Sequence, residues 1–413
     1  MGTIRPMSVR RIAVFSMHTS PLAQPGTGDG GGMNVYVRAL ATALARAGVE
    51  CDVYTRAEHR TQPAVVQVEP GFRVLHVEAG PRAPVPKHDL PALVDPFVDA
   101  SMLQMLEREP VDVLHGNYWL SGAVAHRLKH ELDLPLVATF HTLARVKAEA
   151  GVDDDSAHRT RVEHETIACA DLMLASTDDE RTQLASLYDA QLDRIEVVPP
   201  GVDHTVFFPG DRGSAKQRLG IDAPRVLLFV GRIQELKGTD LAIRALAALD
   251  DPKVTLIVVG GPSGRDGSLE QSRVHALADE LGVSGQIQWV SPRRHERLAD
   301  YYRAADVCIV PSRSESFGLV ALEAAACGTP VVAAAVGGLR SLVDHEHSGF
   351  LIEGRDPVDF AAPVERLLAD EILASEMGVN AAAGSARYSW SMTAGRLRRL
   401  YGDLVARGLV RCD

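Results

Sequence analysis

The chain has 413 residues, 46% of them hydrophobic, and a formal net charge of −11. That is too long for one hydrophobic core and enough for two large domains. The acidic balance, without a long basic run, argues against a nucleic-acid binder, and no apolar run approaches the roughly 20 residues of a membrane span.

The start, Met1-Gly-Thr-Ile-Arg-Pro6, leads toward a strand, without the apolar core of a signal peptide or the Ser/Thr of a myristoylation site. Residues 11–16 read as a strand, 33–47 as an amphipathic helix stopped by Gly48, and 51–55 as a second strand. Further strands are predicted at 73–77, 111–115, 136–139, 172–175 and 195–198. The pattern restarts at Arg225-Val-Leu-Leu-Phe-Val-Gly-Arg232 and runs through 254–260, 287–290, 307–311 and 331–334. Apolar strand runs separated by helices give parallel sheets with right-handed crossovers. Two such series, divided near Pro199-Pro-Gly-Val-Asp203, predict an α/β protein of two doubly wound Rossmann-like domains, residues 1–203 and 204–390. A final helix beginning at residue 391, within the segment 391–413, is expected to cross back onto the first domain. Such sheets bind ligands beyond the carboxyl ends of their strands, which points to the cleft between domains. Cys51, Cys169, Cys308, Cys327 and Cys412 are scattered without a Cys-x-x-Cys. They read as unpaired core residues of a cytoplasmic protein.

Gly26-Thr-Gly-Asp-Gly-Gly-Gly-Met-Asn34 precedes the first long helix and contains a formal G-x-G-x-x-G. A dinucleotide-binding reading is disfavoured. The first glycine comes about ten residues after the strand, where the fingerprint needs a tight turn, and the second strand ends in Thr55-Arg56 rather than an acid for a ribose. The loop reads better as mobile, with amides facing an anionic group at a helix N-terminus. Asn34 could cap that helix or touch ligand.

In the second half, Gly231-Arg-Ile-Gln-Glu-Leu-Lys-Gly238 places Arg232 and Lys237 across a turn beyond a strand end. Fixed cations there could neutralise a pyrophosphate and stabilise charge on a leaving group. Gly260-Gly-Pro-Ser-Gly264, Ser291-Pro-Arg293 and the Glu315 turn end other strands of the same series, and Val336-Gly-Gly338 follows a fourth. Glu323 stands about two helical turns beyond Glu315, so the pair is either a clamp for sugar hydroxyls or partly ordinary surface charge. Neither metal-ligand spacing nor a Ser-His-Asp order stands out.

The motifs Gly-Arg-x-x-x-x-Lys-Gly, Gly-Gly-Pro, Arg-Ala-Ala-Asp, Glu-Ser-Phe-Gly-Leu-Val-x-x-Glu-Ala, Gly-Thr-Pro-Val and Gly-Gly-Leu resemble those of retaining GT-B glycosyltransferases of family four. The stretch from Ser16-Met-His18 to Asn34-Val-Tyr36, with Tyr118-Trp-Leu-Ser-Gly122 and His141-Thr-Leu143, is similar to the inositol-phosphate-acting branch that opens mycothiol biosynthesis. The resemblance extends from about Arg10 to Tyr401.

That resemblance implies a GT-B fold and transfer of N-acetylglucosamine from UDP-N-acetylglucosamine to 1D-myo-inositol 3-phosphate, with retention. It implies Arg232 and Lys237 on the diphosphate, Glu323 on the uridine ribose and Glu315 on the donor sugar, near the amides of Phe317, Gly318 and Leu319. Arg293 would flank the base, and His18, Gln24, Pro25, Gly31 and Gly32 would close over donor and acceptor. His18, Arg232, Lys237 and Glu315 form the implied catalytic set. Asn34, Lys87, Tyr118, Thr142 and Arg159 (or, less well, Arg161) would join His18 at the acceptor, where Lys87, Tyr118, Thr142 and Arg159 supply donors for a phosphate dianion. The resemblance implies no essential cofactor, an optional non-catalytic magnesium on carbonyls at Tyr302, Arg303 and Ala305, and a homodimer as one assembly. Departures fall on the acceptor side: Asn117 where the family usually has His, Phe140 before His141, and a shorter 148–158 segment without Thr-Pro-Glu. Arg340 replaces a Pro or Ala near the donor side. They leave room for another cyclitol, an aminocyclitol or a sugar phosphate.

Overall fold

The computed structural model describes residues 9–149, 151, 156–263 and 267–412. Residues 1–8, most of the shortened acceptor-side segment (150 and 152–155) and Gly264 of the Gly-Gly-Pro turn lie outside them. The chain forms two compact units. One comprises the chain up to Ala23, Met33–Pro199 and the chain from Trp390. The other comprises Gln24–Gly32 and Pro200–Ser389.

The first unit carries β1 (Arg11–Phe15), β2 (Glu50–Arg56), β3 (Val65–Glu69), β4 (Phe72–Val77), β5 (Val113–Asn117), β6 (Leu136–Thr139), β7 (Leu172–Ala175) and β8 (Ile195–Val197). Their order is β3-β4-β2-β1-β5-β6-β7-β8. Only β3 runs antiparallel to its neighbour. Central strands are buried along their whole length, which explains apolar runs such as Ile12-Ala-Val-Phe15 and Leu136-Val-Ala138. In contrast, β3 is a half-exposed edge strand, and its alternation with polar residues hid it from the sequence reading.

The second unit carries β9 (Arg225–Val230), β10 (Val254–Val259), β11 (Ile287–Val290), β12 (Val307–Val310), β13 (Val331–Ala334) and β14 (Gly349–Ile352). All neighbours are parallel, in the order β11-β10-β9-β12-β13-β14. The edge strand β14 likewise lies outside the strands predicted from the sequence. Strand order reverses between β1 and β5 and again between β9 and β12, and ligands bind outside such reversal points.

One predicted strand lies two residues further along. The apolar pattern predicts 111–115, whereas β5 reaches Asn117, which sits beside Thr139 of β6. His115 continues this buried strand because both its ring nitrogens are satisfied there: Nε2 lies 2.8 Å from Thr139 Oγ1, and Nδ1 lies 2.8 Å from the Tyr401 hydroxyl. Burial pushes the His115 pKa down to about 3.

Tyr401 belongs to the last helix, Trp390–Val405, whose Leu397, Tyr401 and Leu404 pack with Val14, Val37 and Leu40 of the first unit. Burial of each large apolar side chain contributes about 1.5–3 kcal/mol. Thr393 Oγ1 also donates to the Pro199 carbonyl at 2.8 Å. Among the described residues no helix is long and apolar enough to cross a membrane.

The cysteine expectation needs correction. Cys51, Cys308 and Cys327 are isolated buried thiols, but Cys169 and Cys412 are brought side by side, with Cα atoms 5.3 Å apart. Spacing could not show this, because 243 residues separate them.

Candidate active site

In the second unit the site begins with turns off β9 and β12. Lys237, in the turn Glu235–Lys237, places Nζ 2.6 Å from Glu315 Oε2. Ser312 Oγ lies 3.4 Å from the same oxygen. Arg232 Nη1 reaches Ser263 Oγ at 3.4 Å, joining the turns after β9 and β10. The strand ends named from the sequence therefore come together.

The Gln24–Gly32 segment packs with this unit. It is closed by Gly26 N–H to Gly30 O and Gly30 N–H to Thr27 O, both 2.9 Å. Gln24 Nε2 donates to the Pro292 carbonyl at 2.9 Å, and Ser263 Oγ donates to the Gly28 carbonyl. Half-buried Pro25 lies within the same closed segment. A Cβ built on Gly31 would lie 3.2 Å from Arg232 Nε, and one on Gly32 would lie 3.5 Å from Leu319 Cδ1. The loop predicted from the glycines is thus hydrogen-bonded within itself and to the turns after β10 and β11.

Glu315 is held by backbone packing against the turn after β13. Gly338 N–H donates to the Glu315 carbonyl at 2.9 Å. Gly337 has φ 44°, and a Cβ there would stand 2.1 Å from that carbonyl oxygen. Gly318, with φ 105°, precedes the helix Leu319–Ala326, whose N-terminal amides suit an anion. Phe317 is buried edge-on against Tyr388. Arg293 is exposed, its Nε 3.4 Å from the Tyr301 hydroxyl, and Arg340 is occupied by a two-bond ion pair with Glu353.

Glu323 is 4% exposed, so it is not a solvated helix charge. Its Oε1 lies 2.6 Å from His295 Nε2, and its Oε2 accepts from the Tyr302 hydroxyl at 2.8 Å. Desolvation lowers the His295 pKa, but Glu323 outweighs it, by charge and hydrogen bond, and the net shift is upward. Each carboxylate oxygen keeps a lone pair for a further donor. Neither His295 nor the Tyr302 hydroxyl was legible as a partner, because nothing local marks a contact made 28 residues away.

The trio named for magnesium fits that ion poorly. The Tyr302 carbonyl already accepts from Thr329 Oγ1 at 2.7 Å and from Ala305 N–H at 3.2 Å. The Arg303 side chain is taken up by the Val206 and Phe208 carbonyls, to which it donates. Magnesium requires near-octahedral open oxygens, and the Tyr302 oxygen, already accepting two hydrogen bonds, is not one.

In the first unit Tyr118 is the hub. It follows β5 with φ 74°, and His141, just beyond β6, has φ 61°. Such left-handed conformations are uncommon outside glycine, least so for histidine, and cluster at functional sites. Lys87 Nζ lies 4.8 Å and Arg159 Cζ 5.0 Å from the Tyr118 ring centre, and the His18 ring stands 4.5 Å away. The Tyr118 hydroxyl is buried with no hydrogen-bond partner among the described residues. Arg159 is buried, with Nε 2.7 Å from Glu163 Oε1 and Nη2 2.7 Å from the Thr142 carbonyl, while Arg161 is exposed. Four acceptor residues named from sequence, Lys87, Tyr118, Thr142 and Arg159, are therefore neighbours. Asn34 is different: it lies inside the helix Gly32–Arg46, buried, with Nδ2 donating to Thr19 Oγ1 and the Ser20 carbonyl. It is not the cap residue and holds the segment that follows His18. Asn117 Oδ1 lies 2.9 Å from His141 Nε2, and burial lowers the His141 pKa to about 3.

Two doubly wound parallel sheets, with cations and carboxylates gathered at the reversal point of the second, define a GT-B glycosyltransferase. Residues 211–383 match the family described as "Glycosyl transferases group 1", and residues 30–206 match "Glycosyltransferase Family 4". A curated relative from Xylanimonas cellulosilytica, named D-inositol 3-phosphate glycosyltransferase, is 46% identical over 96% of this chain and 97% of its own. One of the same name from Geodermatophilus obscurus is 48% identical over 96% and 90%. Among solved structures, sucrose-phosphate synthase from Thermosynechococcus elongatus superposes with TM-score 0.90 at 33% identity, covering 96% of this chain and 99% of that one. The chain belongs to the family of the D-inositol 3-phosphate glycosyltransferases.

Proposed function

We infer that the protein transfers N-acetylglucosamine from UDP-N-acetylglucosamine to 1D-myo-inositol 3-phosphate with retention, the step that opens mycothiol biosynthesis. The observation that carries this reading is the joining of Lys237 to Glu315 at 2.6 Å, beside the turn that presents Arg232. Full-length identity of 43–48% to relatives named for that acceptor supports it.

On this reading the diphosphate takes Arg232 and the two ammonium hydrogens that Lys237 does not give to Glu315. Glu315 accepts from the donor sugar, and Glu323, oriented by His295 and Tyr302, accepts from the ribose hydroxyls. As the glycosidic bond breaks, Arg232 and Lys237 stabilise the charge on the departing phosphate. The acceptor hydroxyl attacks from the same face and passes its proton to that phosphate. His18 orients sugar or main-chain oxygens. Lys87, the Tyr118 hydroxyl, Thr142 and Arg159 receive the acceptor phosphate, where the unpartnered Tyr118 hydroxyl supplies a donor. No nucleic acid, membrane or essential metal enters this reading, and the enzyme acts in the cytoplasm, alone or as a homodimer.

A second reading, transfer to another cyclitol, an aminocyclitol or a sugar phosphate, is favoured by one feature. Asn117, paired with His141 beside Tyr118, gives this wall an amide. Purified protein with UDP-N-acetylglucosamine or UDP-glucose, challenged with inositol, inositol phosphate, aminocyclitols and sugar phosphates, separates the two by mass spectrometry. Absence of UDP release with every inositol phosphate sinks the first.

A further inference from the structure

The Cys169–Cys412 contact is part of a larger cluster. The helix Tyr118–Leu132 carries His126 and His130 four residues apart, on one face near its C-terminus. Cys169 ends the helix Ser156–Cys169, and Cys412 lies in the C-terminal segment. Ligand atoms of these four residues all fall within 4.8 Å of one another, the one such group of histidine, cysteine and acidic side chains found among the described residues. None of the four takes part in the reading of the active site.

We propose that His126, His130, Cys169 and Cys412 form a tetrahedral zinc site that fastens the C-terminal segment to the first unit. Two thiolates and two neutral imidazoles are the donor set of closed structural zinc sites, and together they neutralise a divalent ion. With Zn–N about 2.1 Å and Zn–S about 2.3 Å, a tetrahedron has N–N edges of about 3.4 Å and N–S edges of about 3.6 Å. The corresponding separations here are 3.2 Å from His126 Nε2 to His130 Nε2, 3.4 Å from His130 Nε2 to Cys169 Sγ and 3.5 Å from His130 Nε2 to Cys412 Sγ. The sulfurs must part to about 3.8 Å, and His126 Nε2, which lies within 4.8 Å of both, must settle at about 3.6 Å from each.

A disulfide uses the two sulfurs and gives no reason for two imidazole nitrogens to face each other and the sulfurs. A metal ion uses all four groups. The surroundings hold this arrangement in place. Buried Lys129 donates to the Cys169 carbonyl and to Asp171 Oδ2, both at 2.8 Å, and Asp171 Oδ1 accepts from Val410 N–H at 2.6 Å, two residues before Cys412. Binding releases one proton from each thiol.

The test uses the full chain, purified without an affinity tag under reducing conditions and loaded with one equivalent of Zn²⁺ or Co²⁺. Metal analysis after gel filtration should return one zinc per chain, and the cobalt form should show the absorption of tetrahedral thiolate-bound Co²⁺. C412S and H126Q, both at solvent-accessible positions, should each lower retained zinc at least tenfold while circular dichroism stays that of the parent. Wild-type protein without metal, or C412S and H126Q variants that retain it fully, would overturn the site. So would a protein that, under the same reducing conditions, has a mass two hydrogens short and no titratable Cys169 or Cys412 thiol.

Discussion

Lys237 Nζ lies 2.6 Å from Glu315 Oε2, tying the turn after β9 to the turn after β12 across the point where strand order reverses. Both side chains are about one-fifth exposed, so the pair is reachable and still partly shielded from water. The consequence is a cation whose position is fixed before any ligand arrives, where preorganised charge is most effective.

Replacing Lys237 by Met should lower kcat by roughly 10²–10³-fold, the range for removing one preorganised donor from a developing negative charge. Glu315→Gln should lower kcat less and raise the donor KM, because the amide keeps a hydrogen-bond acceptor for the sugar. Steady-state kinetics separate the two. A Lys237→Met enzyme of normal kcat would remove it from the transition state.

Glu323→Gln should raise the donor KM by about 1.5–3 kcal/mol of lost charged hydrogen bonding, roughly 10–150-fold. The His295 pairing adds a pH signature. Its folded pKa lies above the ordinary 6.5, so its contribution is fully present below that value and is lost as pH rises through the raised folded pKa. Thermal stability should therefore fall on the alkaline side of 6.5 in the parent and lose that component in His295→Asn.

Lys87 and Arg159 should behave differently even though both flank Tyr118. Lys87→Ala should raise the acceptor KM by about 1.5–3 kcal/mol and leave Tm nearly unchanged. Arg159→Ala leaves the Glu163 carboxylate buried without its cation, so it should also destabilise the fold by about 3–5 kcal/mol. Denaturant melts beside acceptor titrations distinguish binding from folding. An unchanged acceptor KM in Lys87→Ala would argue against a phosphate at this position.

Gly337→Ala tests the packing that sets Glu315. At φ 44°, with the Glu315 carbonyl 2.1 Å from the new methyl position, the turn must shift. Stability should drop by about 1–3 kcal/mol, and the donor KM should rise because Glu315 moves with its own carbonyl. A parental donor KM in the folded variant would show that the turn does not position the carboxylate.

The alternation of apolar strands and helices specified both doubly wound sheets, because burial on two faces writes an apolar run into most central strands. Arg232, Lys237 and Glu315 were legible for a related reason: chemistry-bearing residues on turns directly after such strands must share one end of the sheet. Edge strands β3 and β14 were missed, since an edge pays less in burial and leaves a weaker pattern.

Partners distant in sequence were decided by tertiary structure alone. Glu323 looked equally like surface charge until folding buried it against His295 and Tyr302. Asn34 turned inward to Thr19, and Cys412 met Cys169 across 243 residues beside two histidines of a third segment. Periodicity and turn chemistry are local properties that a sequence carries openly. Which side chains meet depends on how helices pack on sheets, and that is settled only when the whole core closes.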